Sequence, residues 1–116
     1  MNYNHNKRAH KRIPVRLQGN LTTRYETYSA VIKNISTHGL ALIFSSMPSP
    51  LIFDSDADLE AVIQISANKS LKVSARKKWY KRIDQLNNLH KEIGIEISHP
   101  SSEYLQFVED QMKTFH

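Results

Sequence analysis

Arg8-Ala9-His10-Lys11-Arg12 sets two guanidinium groups on a short basic segment with three residues between them. A guanidinium is a planar fork of donors. It pairs with phosphate oxygens, stacks on aromatic faces and, among bases, most often grips the O6 and N7 edge of guanine. The three-residue gap brings both arginines to one side of a turn-like segment. Farther along, Asn34-Ile35-Ser36-Thr37-His38-Gly39 closes an apolar-alternating run. Asn34 and Ser36 flank Ile35, so an amide and a hydroxyl can leave the core face together and read the polar edge of a base. Gly39 can take φ > 0 and lets backbone approach a ligand closely. Each pattern alone is ordinary, since basic termini are usually solvated and turns use Asn, Ser and Gly anyway.

The elements that must position these residues read as β-strands. From Ile13, Val15, Leu17, Gly19 and Leu21 alternate with Arg16, Gln18 and Asn20. Tyr28 to Ile35 and Leu40 to Phe44 form a second and third strand around the polar turn, and the proline- and serine-bearing Ser45 to Pro50 is a loop. Leu59, Ala61, Ile63 and Ile65 share the inner face of a fourth strand. Ala67-Asn68-Lys69 turns into a fifth carrying Leu71, Val73, Ala75 and Trp79. Asp84 to Lys91 reads as loop, and Ile93, Ile95 and Ile97 mark the last strand. Six short strands at even spacing predict a mainly β fold, a small six-stranded antiparallel barrel. Pro100-Ser101-Ser102-Glu103 starts a C-terminal α-helix whose face carries Leu105, Val108 and Met112, to pack on the barrel or to dimerise. The organisation expected is a flexible basic arm over residues 1–12, a barrel over 13–99 and a helix over 100–116.

Composition narrows the function classes. The 116 residues suffice for one small core, and with no cysteine neither a disulfide framework nor a thiolate metal site is possible. The opening residues carry no apolar stretch and no run is long enough to span a bilayer, which predicts a cytoplasmic protein with no membrane span. The net charge of +5 is unevenly spread: residues 1–25 hold no carboxylate, and Arg76-Lys77-Lys78 with Lys81 and Arg82 form a second basic cluster. That segregation points to an anionic partner. Asp54-Ser55-Asp56-Ala57-Asp58 opens like a calcium loop but has Leu59 where the turn glycine belongs and Ile65 where the closing acid belongs. The six histidines show no ligand spacing, so no metal is expected. No nucleophile–base arrangement is recognisable either, which predicts a non-enzyme.

Taken together and in this order, the two patterns resemble the paired signature of the PilZ family, RxxxR followed by [D/N]xSxxG, whose members bind the bacterial messenger cyclic di-GMP. Gly39-Leu40-Ala41-Leu42 is similar to the family's continuation. Ile93-Gly94-Ile95-Glu96-Ile97 is similar to its late GxxF-type strand, with Ile97 in place of the aromatic. The resemblance implies a cyclic di-GMP receptor that needs no cofactor beyond its ligand and signals to a downstream protein through closure of the arm. It implies that Arg8 and Arg12 engage phosphates and guanine faces, that Asn34 and Ser36 hydrogen-bond a guanine edge, and that Gly39 keeps the turn open. Lys7, His38 and Trp79 are possible additional contacts; a basic residue before the first arginine accompanies two stacked ligands in similar proteins. Asn34 stands where many relatives have aspartate, and an amide offers one acceptor where a carboxylate offers two. Two other readings remain: a basic barrel for single-stranded nucleic acid, drawn from Tyr25, Tyr28, Trp79 and Tyr80 beside the basic clusters, and a PilZ-like interaction module that binds no nucleotide. Intact motif residues weigh against the second, and nucleic acid is the less expected partner.

Overall fold

The computed structural model describes residues 11–23, 26–44, 58–85 and 88–115. Of the expected arm, Lys11 and Arg12 fall within this range; Lys7, Arg8 and His10 lie outside it, as does the expected loop at Ser45 to Pro50. Six strands follow in order: β1 (Ile13–Thr22), β2 (Thr27–Ser36), β3 (Gly39–Phe44), β4 (Asp58–Ser66), β5 (Lys69–Gln85) and β6 (Asn88–Ile97). They close into an antiparallel barrel in the order β1-β2-β3-β6-β5-β4, with β1 pairing β4 through Gly19↔Ile63 and Leu21↔Ala61. Closure pairs backbone donors and acceptors around the ring, while β5 beyond Arg76 has β6 as its one strand partner among the described residues.

The interior is aliphatic. Leu21, Ile32, Ile35, Leu42, Phe44, Ile63 and Ile93 are fully buried, and each such side chain contributes about 1.5–3 kcal/mol through removal of apolar surface from water. In β4 the expected alternation holds: Leu59, Ala61 and Ile63 are buried, with Ile65 partly so. The segment expected as a loop, Asp84 to Lys91, is instead mostly strand, because the β5–β6 ladder continues through Arg82↔Lys91, Ile83↔His90 and Asp84↔Leu89 to Gln85↔Asn88. Backbone pairing can extend a hairpin whatever the polarity of its side chains, so composition misled there.

Helix α1 (Ser102–Phe115) begins where the serine cap was expected: Ser101 Oγ accepts the Tyr104 N–H at 3.0 Å. Glu103 in the first turn and Lys113 in the last complement the helix dipole. The helix packs on the barrel against β1 and β5. Its inward face differs from the expected one. Tyr104, Phe107 and Val108 are buried, Met112 is partly so, and Leu105 is 38% exposed. Tyr104 with Phe107 and Val108 forms an i, i+3, i+4 stripe that buries two aromatic rings, and Leu105 lies one residue around the helix from it. Phe107→Ala is therefore expected to cost about 3–5 kcal/mol in urea unfolding, whereas Leu105→Ala should stay within about 0.5 kcal/mol.

Candidate ligand-binding site

Strands β3 and β6 pair without interruption from Gly39↔Glu96 to Phe44↔Lys91. The strands flanking them do not. The register slips by one residue in β1 between Pro14 and Leu17, in β2 between Ile32 and Asn34, and in β5 between Lys77 and Trp79. A bulge inserts an unpaired residue and re-aims the side chains that follow it. Without the slip in β2, Asn34 would follow Ile32 into the core. With it, Asn34 pairs with Ala41, while Ile35 and Leu40 face the interior. In β5 the slip at Lys78 has the same effect on Trp79. The sequence had grouped Trp79 with Leu71, Val73 and Ala75; the structure pairs it with Gly94 and sends Tyr80 toward the core in its place.

The result is one row across five strands on the outer face, Pro14–Asn34–Ala41–Gly94–Trp79. Its middle is small by necessity. A Cβ on Gly94 would fall within the van der Waals envelope of the Trp79 indole, at Cε2, Nε1 and Cζ2, so the ring lies flat over the glycine. At the other end of the row, Arg12 Nη1 donates to Asn34 Oδ1 at 3.4 Å, a hydrogen bond between residues 22 apart in sequence. The second arginine of the basic pair thus meets the first residue of the polar turn.

The turn itself is held from three sides. Ser36 Oγ accepts the His38 N–H at 3.2 Å, and the Ile97 N–H donates to the His38 carbonyl at 2.8 Å. The buried Tyr104 hydroxyl donates to the Ser36 carbonyl at 2.7 Å and reaches the Gly39 carbonyl at 3.4 Å. Burial pushes the Tyr104 phenol well above its usual pKa, so it remains a protonated donor. Ser36 is buried, and with its oxygen engaged as acceptor its hydroxyl proton is left to donate. His38 is exposed, its Nδ1 2.9 Å from Thr37 Oγ1. Gly39 does not take the positive φ expected of it. A Cβ there would sit 2.8 Å from the Ile95 carbonyl, so close approach of β6 is what demands glycine.

Two participants escaped the sequence reading. Tyr104 was not singled out, although a buried tyrosine usually needs a partner for its hydroxyl. Lys33, the extra residue of the β2 bulge, reaches across β3 to Glu92 on β6, with Nζ 3.2 Å from Oε1 and 3.1 Å from Oε2. Two polar residues between the core positions Ile32 and Ile35 are its sequence trace. Among the described residues no cluster of His, Asp or Glu is arranged to hold a metal. No helix among them is long and apolar enough to cross a membrane. A groove of about 460 Å³ between α1 and the β4–β5 hairpin, floored by Ile65, Leu71 and Phe107, holds none of these site residues.

The sequence profile of the PilZ domain matches residues 6–112. The chain belongs to the PilZ family. Among solved structures, this PilZ domain resembles K. pneumonia MrkH in its apo state, with a TM-score of 0.76 and 17% identity, covering 99% of this chain and 53% of that one. It also resembles the PilZ domain of YcgR from Escherichia coli with c-di-GMP, with a TM-score of 0.73 and 9% identity, covering 94% and 91% respectively. A third is the Bacillus subtilis inhibitor of motility MotI/DgrA, with a TM-score of 0.69 and 16% identity, covering 95% and 53%. The chain spans about half the length of MotI and MrkH. Comparison with curated protein sequences returns no match. At these identities the likeness is one of fold.

Two substitutions probe this geometry. Gly94→Ala should displace Trp79, the single tryptophan, and shift its fluorescence while the far-ultraviolet circular dichroism stays unchanged; an unaltered emission spectrum would refute the stacked arrangement. Tyr104→Phe should cost about 1–2 kcal/mol, from loss of a buried hydrogen bond, and speed amide exchange in residues 36–39.

Proposed function

We propose that this PilZ domain is a non-catalytic receptor for cyclic di-GMP. The observation that carries the reading is the Arg12–Asn34 hydrogen bond, which joins the two halves of the family signature on one outer face. In this reading Arg8 and Arg12 hold phosphates and guanine faces, Asn34 and Ser36 read a guanine edge, and Gly39 keeps the turn accessible. Trp79 offers an indole at the far end of the same row, and Lys7 and His38 are further ligand contacts in this reading. The c-di-GMP complexes of the YcgR PilZ domain and of K. pneumonia MrkH support the ligand class. The basic run that suggested nucleic acid is partly matched by acids on the surface: Arg76 lies 3.6 Å from Asp58, and Lys78 3.9 Å from Glu96.

Magnitudes bound the mechanism. Two charge-assisted contacts at about 1.5–3 kcal/mol each and two stacked bases at about 1–3 each give roughly 5–12 kcal/mol. Fixing each arm residue costs about 1–2 kcal/mol, so few residues can be newly ordered. Arg12 already touches Asn34, which lowers that cost at one of the two arginines. Closure of residues 1–12 over the barrel would then expose or create a surface for a downstream protein in the cytoplasm.

Calorimetric titration with cyclic di-GMP at physiological salt is expected to give saturable, micromolar binding, near −8 kcal/mol, with a fixed stoichiometry. Arg8→Ala, Arg12→Ala and Asn34→Ala should each weaken it by about tenfold or more. No saturation below about 100 μM would overturn the reading. Binding to oligonucleotides that grows with their length and falls steeply with salt would favour a nucleic-acid surface instead.

A further inference from the structure

Lys33 and Glu92 form an ion pair that links β2 to β6 across β3. Glu92 sits on β6 two residues from Gly94 and on the same outer face, since Ile93 and Ile95 point into the core. Its side chain is nonetheless 3% exposed, and the Lys33 ammonium meets both of its carboxylate oxygens. Removing a carboxylate from water is costly, and a well-packed apolar pair is often at least as stable as a buried ion pair. Such a pair is best explained where it fixes the position of a charge.

The charge it fixes belongs to Lys33. β2 and β6 lie on either side of β3, so their separation is about 9.5 Å and the lysine stem must run over the outer face of β3. On that face Ala41 is fully buried although it stands outside the hydrophobic core cluster. Lys33 thus borders the row from Asn34 through Ala41 and Gly94 to Trp79. Its own side chain is 41% exposed. An ammonium has three N–H groups, and two directed at Glu92 leave one for an acceptor arriving from solvent. With Arg12 beside Asn34, the row carries a guanidinium at one edge and a restrained ammonium close to its floor.

We infer that Lys33 is a further ligand contact of this site, its ammonium held by Glu92 to meet a phosphodiester oxygen of the bound dinucleotide. The inference rests on the cyclic di-GMP reading above. Lys33 acts as the contact, and Glu92 is the positioning residue. The bulge that turns Asn34 outward therefore presents a base-reading amide and a phosphate-binding cation as adjacent residues.

The test is cyclic di-GMP titration of the wild type, Lys33→Arg, Lys33→Gln and the double variant Lys33→Met with Glu92→Gln. The glutamine keeps an N–H donor for Glu92 but removes the cation, and the double variant removes the buried charge as well, so folding is protected in two ways. Lys33→Arg should bind within about threefold of the wild type, and the two cation-free proteins about tenfold more weakly. That deficit should shrink as ionic strength rises from about 0.1 M to about 1 M, because salt screens the lost contact. Wild-type affinity in the cation-free variants, or a deficit insensitive to salt, would make the pair a structural strut and overturn the inference alone. Absence of binding by the wild type would overturn it together with the receptor reading.

Discussion

A strand in a closed barrel offers each side chain two directions, inward or outward, and they alternate without choice. Where that alternation is broken, a residue that the period would have buried is turned to the outer face. This barrel breaks it in β1, β2, β4 and β5, and the slips in β2 and β5 stand on either side of the unbroken β3–β6 pair. Asn34 and Trp79 owe their outward positions to those slips. Gly94 between them is a glycine because the Trp79 ring occupies the space above it.

The helix enters the site through the same turn. Ser101 caps α1 and so fixes where its first turn begins, which puts Tyr104 under the Ser36–Gly39 corner. The hydroxyl satisfies carbonyls that the tight turn leaves over. A buried donor of this kind is expensive to disturb, because loss of either partner strands the other away from water. The polar turn and α1 are therefore joined through the Tyr104 hydroxyl, which meets the Ser36 and Gly39 carbonyls.

Most of the fold was legible because burial imposes a period. Leu59-Ala61-Ile63 and Ile93-Ile95-Ile97 alternate cleanly, because β4 and β6 carry no extra residue within those stretches. Legibility failed where the period fails. Trp79 was assigned to the core face by extrapolating through Lys78, the very residue that slips. The Asp84 to Lys91 segment was lost because its pairing is carried by the backbone, which leaves no hydrophobic signature. Motif residues Arg12, Asn34, Ser36 and Gly39 were found by their types. The reasons for them came only from structure: Gly39 answers to the Ile95 carbonyl rather than to a positive φ. Lys33 and Glu92 are separated by 59 residues, and no local pattern joins them.

The amide at position 34 also changes how the arginine is held. An aspartate there would pair with Arg12 as an ion pair, and a charge-assisted bond of that type is roughly twice as strong as a neutral one. Asn34 instead accepts from Arg12 Nη1 with a neutral oxygen at 3.4 Å, near the long end of hydrogen-bond geometry. A guanidinium leaves a neutral amide for a phosphate at smaller cost than it leaves a carboxylate. Against this stands the acceptor that the amide lacks toward a guanine edge. In the proposed receptor the two effects oppose each other, so asparagine at this position is compatible with micromolar binding provided that the arginine, more than the base edge, carries the ligand.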